Sequence, residues 1–178
     1  MTTSQPEREA PSPPSFALRP EVEGDIFFRL ALFRASRGPG WDQVPLPPEM
    51  VDKLMEQQFR AQTLGYRASF PNAQLEIVTV DSAPVGRLAT DRDARGVHLI
   101  DIALIPERRG QGIGEAILRG LMAEAAGAGT PVTLQVARDN PGAQRLYFRL
   151  GFVLTEVNDT HLSLRWPAPS PSAPAPTA

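Results

Sequence analysis

The stretch LIDIALIPERRGQGIGEAILRGL spans Leu99–Leu121 and changes character halfway. An apolar run stops at Pro106, and glycine then takes every second position at Gly110, Gly112 and Gly114. Ile113, Ile117, Leu118 and Leu121 follow at helical spacing, so the stretch reads as strand, glycine turn and helix. Such a turn points several backbone N–H groups into one concavity at a helix N-terminus, where the helix dipole favours an anion. Glycine suits it because a Cβ would hinder the approach of a phosphate and because φ can be positive. The same residues also make a plain structural turn, so the surroundings must choose between the two.

Three phosphate-binding patterns can be compared. A P-loop needs Lys-Ser/Thr at the helix start, whereas Glu115 and Ala116 follow Gly114. The dinucleotide fingerprint G-x-G-x-x-G fails because Glu115 stands at its last position. The pattern R/Q-x-x-G-x-G is met in full by RGQGIG, Arg109–Gly114.

The rest of the chain sets bounds. With 178 residues, 42% of them apolar, one domain is expected. A formal charge of −2 gives no reason to expect nucleic acid or an anionic membrane as partner. Cysteine is absent, which excludes disulfides, thiolate metal sites and a cysteine nucleophile. Two histidines and no carboxylates clustered at ligand spacing leave no metal expected. The N-terminus lacks a signal-peptide pattern and no apolar run approaches the ~20 residues of a membrane span, so the expectation is a cytoplasmic protein.

Both ends are rich in proline, and PAPSPSAPAPTA (Pro167–Ala178) contains only Pro, Ala, Ser and Thr. Residues 1–15 and 167–178 are therefore expected to be flexible, with the folded domain at 16–166. Within it, Val22, Ile26, Leu30 and Phe33 share one helical face, and a second helix is expected from about Pro48 to about Leu64. Strands are expected at Gln74–Val80, Pro84–Thr90 and Val97–Ile105, with turns between them at DSA and DRDARG. Beyond the glycine helix come a strand at Val132–Ala137, a helix capped by Asn140 with Pro141 at its first position and Gly151 at its stop, and a closing strand at His161–Trp166. The order predicts a mixed α/β fold, a central mixed sheet flanked by helices.

With ALIPERRGQGIGEAILRGLM and the later VARDNPGAQRLYFRLGF, the chain resembles the GCN5-related N-acetyltransferases, or GNAT family. The resemblance is strongest over Val97–Phe152 and extends across Phe16–Trp166. It implies the GNAT acyl-CoA N-acyltransferase fold and an enzyme that moves the acetyl group of acetyl-CoA to a primary amine, by direct attack in a ternary complex. An acyl-CoA-binding or sensing module with the same fold and little transfer activity is the alternative. A nucleotide- or NAD-dependent enzyme would need the failed fingerprints to mislead.

The resemblance also assigns residues. Backbone groups of Ile102, Ala103 and Leu104 would pair with the pantetheine arm between two parting parallel strands. The amides of Gly110, Gln111, Gly112, Ile113, Gly114 and Glu115 would hold the pyrophosphate, with Arg109 at the start of the loop. Asn140 would bond the pantetheine or cap its helix, and Ala143 would leave room for the cofactor. Tyr147 matches the family's general acid; the plain alternative is a core aromatic beside Ala143, Leu146 and Leu150. For the base, His98 and Asp101 both stand on the strand before the loop, on opposite faces unless a bulge intervenes, and water is a third choice. The acceptor groove would be lined by Trp41, Asp42 and His161, with Glu49 available to attract an ammonium group. The acceptor, a small molecule or a protein amine, stays open, and a homodimer is compatible with such folds.

Overall fold

The computed structural model describes residues 15–36 and 45–167. Trp41, Asp42 and nearly all of the two expected tails lie outside those residues. The chain runs β1 (Ala17–Pro20), α1 (Ile26–Ser36), α2 (Pro48–Ser69), β2 (Gln74–Val80), β3 (Ala83–Asp93), β4 (Gly96–Leu104), α3 (Ile113–Ala128), β5 (Val132–Ala137), α4 (Pro141–Arg149), β6 (Val153–Val157) and β7 (His161–Trp166). Single 3₁₀ turns occupy Glu23–Asp25 and Pro106–Arg108. The strands form one sheet in the order β1-β2-β3-β4-β5-β7-β6, antiparallel except where β4 meets β5. The expected mixed sheet flanked by helices is what forms.

The elements differ from the sequence expectation at the edges. The two outermost strands, β1 and β6, were not expected. ALRP is four residues ending in proline, and every residue of VLTEV is exposed, so neither carries the buried alternation that marks a strand. They are strands because a neighbour's open edge pairs with them. Helix α2 continues to Ser69, beyond Leu64, and β3 continues through the expected turn at Asp91–Asp93 because Asp91, Arg92 and Asp93 pair with β4. Helix α1 starts at Ile26, since Val22 is extended and its N–H donates to the Asp25 carboxylate.

One face of the sheet carries the main apolar core. Ile113, Ile117, Leu118, Leu121 and Ala125 of α3 and Tyr147 of α4 pack on Val97, Leu99, Val132, Leu134 and Leu164. Leu118 is 1% exposed, and Leu118→Ala is expected to cost about 3 kcal/mol through lost burial and the cavity left behind, read by urea denaturation. The other face is covered by α1 and α2, which share a small cluster of Phe33, Met55 and Phe59. Between these helices and the sheet lies an ion network rather than more hydrocarbon: Arg29 on Glu21 at 2.8 Å, and Glu21 on Arg87 at 2.8 Å.

Candidate active site

The site begins where β4 and β5 part. They pair only at Val97–Val132, His98–Thr133 and Leu99–Leu134. Beyond that point β4 stays on β3 as far as Leu104, and β5 stays on β7 as far as Ala137. Each strand follows its outer neighbour, so a wedge opens between them and the inner backbone edge of β4 is left without a strand. A bulge sits at the vertex. The register on β3 passes from Thr90–Leu99 directly to Ala89–Asp101, so Ile100 is the extra residue, and the added local twist bends β4 away from β5.

The bulge also settles which side chains share a face. His98 pairs with Asp91 and Asp101 with Ala89, and directly paired residues point to the same side. His98 and Asp101, three residues apart, therefore both face α1 and α2, the arrangement that simple alternation forbids.

A cleft of about 1520 Å³ runs through the wedge, lined by β4 from His98 to Leu104, by Gly110, Gly112, Gly114 and Glu115, and by Asn140, Ala143, Tyr147 and His161. Its mouth is the glycine turn. Gly110 has φ 71° and Gly112, the N-cap of α3, has φ 82°, both in the left-handed region that a side chain disfavours. A Cβ at Gly110 would meet open space, so conformation rather than crowding selects glycine there. The N–H groups of Ile113, Gly114 and Glu115 begin the helix and have no carbonyl one turn back within it.

Side chains around the turn are tied to the protein. Arg109, at the start of the loop, donates from Nε to the Leu104 carbonyl at 2.9 Å and from Nη2 to the Ala35 carbonyl at 3.1 Å, joining the turn to the end of α1. Gln111 Nε2 donates to the Glu107 carbonyl. Glu115 binds Arg149 and Arg119, and those guanidiniums hold its carboxyl below the usual range. The Glu115–Arg149 pair spans from α3 to α4. Asn140 caps α4, its Oδ1 accepting from the Ala143 N–H at 3.1 Å.

Deeper in, Tyr147 is buried against Phe152 at 5.6 Å between ring centres, and its hydroxyl has no hydrogen-bond partner among the described residues. Burial first, then the charge of Asp101, pushes its pKa up to about 12. Asp101, with 31% of its side chain exposed at the cleft floor, lies 3.5 Å from Arg87. Burial raises its carboxyl, while Arg87 and the Ile102 N–H pull it back. His98 sits on the paired side of the vertex, Nδ1 on Thr133 Oγ1 at 2.9 Å and its ring stacked on Phe70 at 5.3 Å. Burial lowers its pKa against the pull of Asp91, which keeps the imidazole neutral at physiological pH.

The structure thus brings the expected cofactor residues, Tyr147, His98, Asp101 and His161 into one cleft, except that Gln111 and Glu49 do not line it. Sequence reasoning passed over Glu21, Arg29, Arg87, Tyr66 and Phe70. They stand singly in the sequence, far from the motifs, and nothing in their spacing marks them. No helix among the described residues is long and apolar enough to cross a membrane, and no group of three or more His, Cys, Asp or Glu among them could hold a metal.

Over 74 residues the chain is 36% identical to the mycothiol acetyltransferase of Clavibacter michiganensis, a match spanning 42% of this chain and 23% of that protein. It is 31% identical over 91 residues to an uncharacterized N-acetyltransferase of Methanocaldococcus jannaschii, spanning 50% of this chain and 58% of that one. The chain thus matches less than two thirds of either relative's length. The fold is shared with the PaiA N-acetyltransferase of Thermoplasma acidophilum, solved in complex with coenzyme A: TM-score 0.65 and 17% identity, covering 86% of this chain and 99% of that one. The model of the acetyltransferase (GNAT) family matches residues 43–152, a stretch that takes in the parted strands, the glycine turn and Tyr147. By that match over more than half its length, the chain belongs to the GNAT acetyltransferase family.

Proposed function

We propose that this protein is an acetyl-CoA-dependent N-acetyltransferase in which a primary amine attacks the thioester directly while both substrates are bound. The observation that carries the reading is the wedge: β4 and β5 part just above the glycine turn, and the one cleft reaches from that turn to Asp101 and Tyr147.

The residues fit the donor. A pyrophosphate suits the left-handed glycines and the N–H groups that open α3. An extended amide-bearing arm suits the inner edge of β4 at Ile102–Leu104, where it would replace the missing strand. When bound, acetyl-CoA supplies an activated acyl group, and holding an amine against it accounts for much of the rate.

The chain's own residues then handle protons and charge. Asp101, on the wedge side of the vertex, takes the proton released by the amine. His98 lies on the paired side with one nitrogen engaged by Thr133, and serves as a wall of the acceptor end. A backbone N–H near Leu104 polarises the carbonyl as negative charge develops. Tyr147 gives its proton to the departing thiolate. The two proton steps reinforce each other: once Asp101 is protonated, its charge no longer holds the Tyr147 proton in place.

Calorimetric titration with acetyl-CoA, with NADH as comparison, tests the donor, and release of free thiol with a panel of amines tests the transfer. Acetyl-CoA bound in preference to NADH, with thiol release for at least one amine, is expected. Asp101→Asn should lower that rate about 100-fold and His98→Gln only a few-fold. Binding without any turnover would favour the sensing reading, and equal binding of NADH would remove the donor assignment.

A further inference from the structure

The ion network beneath α1 and α2 is unusual in being buried without obvious gain in stability. Glu21, Arg29 and Arg87 side chains are between 6% and 9% exposed. Replacing such a set with well-packed hydrocarbon is commonly neutral or stabilising, so its presence calls for another reason. Its geometry supplies one. Arg29 rests over the Phe59 ring at 5.2 Å and donates to Thr63, which anchors it to α2. Glu21 receives Arg29 Nη1 on one oxygen and Arg87 Nε on the other, each at 2.8 Å. Arg87 then turns Nη1 toward Asp101 Oδ2 at 3.5 Å. The chain of groups leads from a helix that covers the sheet to the cleft floor and ends there.

We propose that Arg87 is a positioning residue, locked by Glu21 and Arg29, that aims the Asp101 carboxylate into the wedge and holds it ready to take the amine's proton. The proposal rests on the assignment of Asp101 as base. Two guanidiniums and two carboxylates balance in this set while Asp101 is ionised, and one positive charge is left over once it is protonated. That balance opposes the desolvation that otherwise favours the neutral acid. In this cleft Asp101 is joined by His98 on β4 itself, Tyr147 from α4, Tyr66 from α2 and His161 from β7, while Arg67 of α2 lines the neighbouring pocket together with Arg87 and, like Asp25, acts on Arg29. Of these, Tyr147 and Asp101 influence each other directly. The cation paired with Asp101 is Arg87.

The test follows the Asp101 Cγ resonance against pH by carbon NMR in the whole protein, which needs no acceptor. Arg87→Met leaves Glu21 paired with Arg29 and removes the cation from Asp101, so the carboxyl should titrate at higher pH than in the native protein. Glu21→Gln removes the anion that offsets two guanidiniums, so the same resonance should titrate lower. Opposite shifts are the signature, since loosened packing alone would not move them apart. Arg87→Lys should return the titration towards the native position, and it replaces Glu21→Gln as the comparison if that variant does not fold. With an accepted amine, Arg87→Met should also lower kcat at pH 7 about tenfold, with acetyl-CoA affinity within twofold. A native titration curve in Arg87→Met, or shifts of one sign in Arg87→Met and Glu21→Gln, overturns the proposal alone. Full transfer activity in Asp101→Asn overturns the base assignment, and the proposal with it, whatever the NMR shows.

Discussion

Gly112→Asp is expected to weaken acetyl-CoA binding by about 100-fold or more, measured calorimetrically, while the protein remains folded. Two effects act at one atom. Gly112 is the N-cap of α3 at φ 82°, a conformation that costs a side-chain-bearing residue roughly 1 kcal/mol, with Asp among the residues that tolerate it best. The larger effect is a carboxylate set among the N–H groups proposed to receive the pyrophosphate, where repulsion and lost hydrogen bonds together are expected to exceed the ~2.7 kcal/mol that 100-fold represents. Gly112→Asn separates the two, since it carries the same bulk and backbone preference without the charge. Its loss should be about tenfold. Equal losses in both variants would assign the effect to shape, and retained affinity in both would return the turn to a structural role.

Tyr147→Phe should lower kcat about 100-fold and leave acetyl-CoA affinity within twofold, the pattern of a group that acts on the departing thiolate rather than on binding. The fold should scarcely notice. The ring keeps its packing on Phe152, and the hydroxyl gives up no hydrogen bond to the described residues. Pushed up to about 12 by burial and by the charge of Asp101, the phenol stays protonated through the working range and has its proton available at the moment the thiolate forms. An unchanged kcat would make Tyr147 a core aromatic of α4, the reading its helix face also allows.

How much of this was legible beforehand varies with the range of the interaction. The glycine turn and α3 were readable because everything that makes them is local: an apolar run, a proline stop, left-handed glycines and helical spacing within about twenty residues. Helix α4 was readable for the same reason, through Asn140 as cap and Pro141 at the first position. Strands β1 and β6 were not, because an exposed edge strand is defined by its neighbour's hydrogen bonds and not by its own pattern. Arg109 shows the limit for side chains. Its place in the motif was plain, yet the two carbonyls it binds belong to Leu104 and Ala35, and the second is far away in sequence.

The candidate base turns on a single inserted residue. Period-two alternation places His98 and Asp101 on opposite faces, and the bulge at Ile100 puts them on one. Bulges arise from the pairing of two strands, so neither strand's sequence announces one. Sequence alone therefore determined the family resemblance, the turn, the helices that flank it and the place of Tyr147, all of which depend on contacts between near neighbours. Only the tertiary structure decided where β4 leaves β5, which side of the sheet Asp101 faces, and that Glu21, Arg29 and Arg87 converge behind it. Those outcomes need strands and helices distant in the chain to meet, and the energies that bring them together belong to the assembled core rather than to any stretch of it.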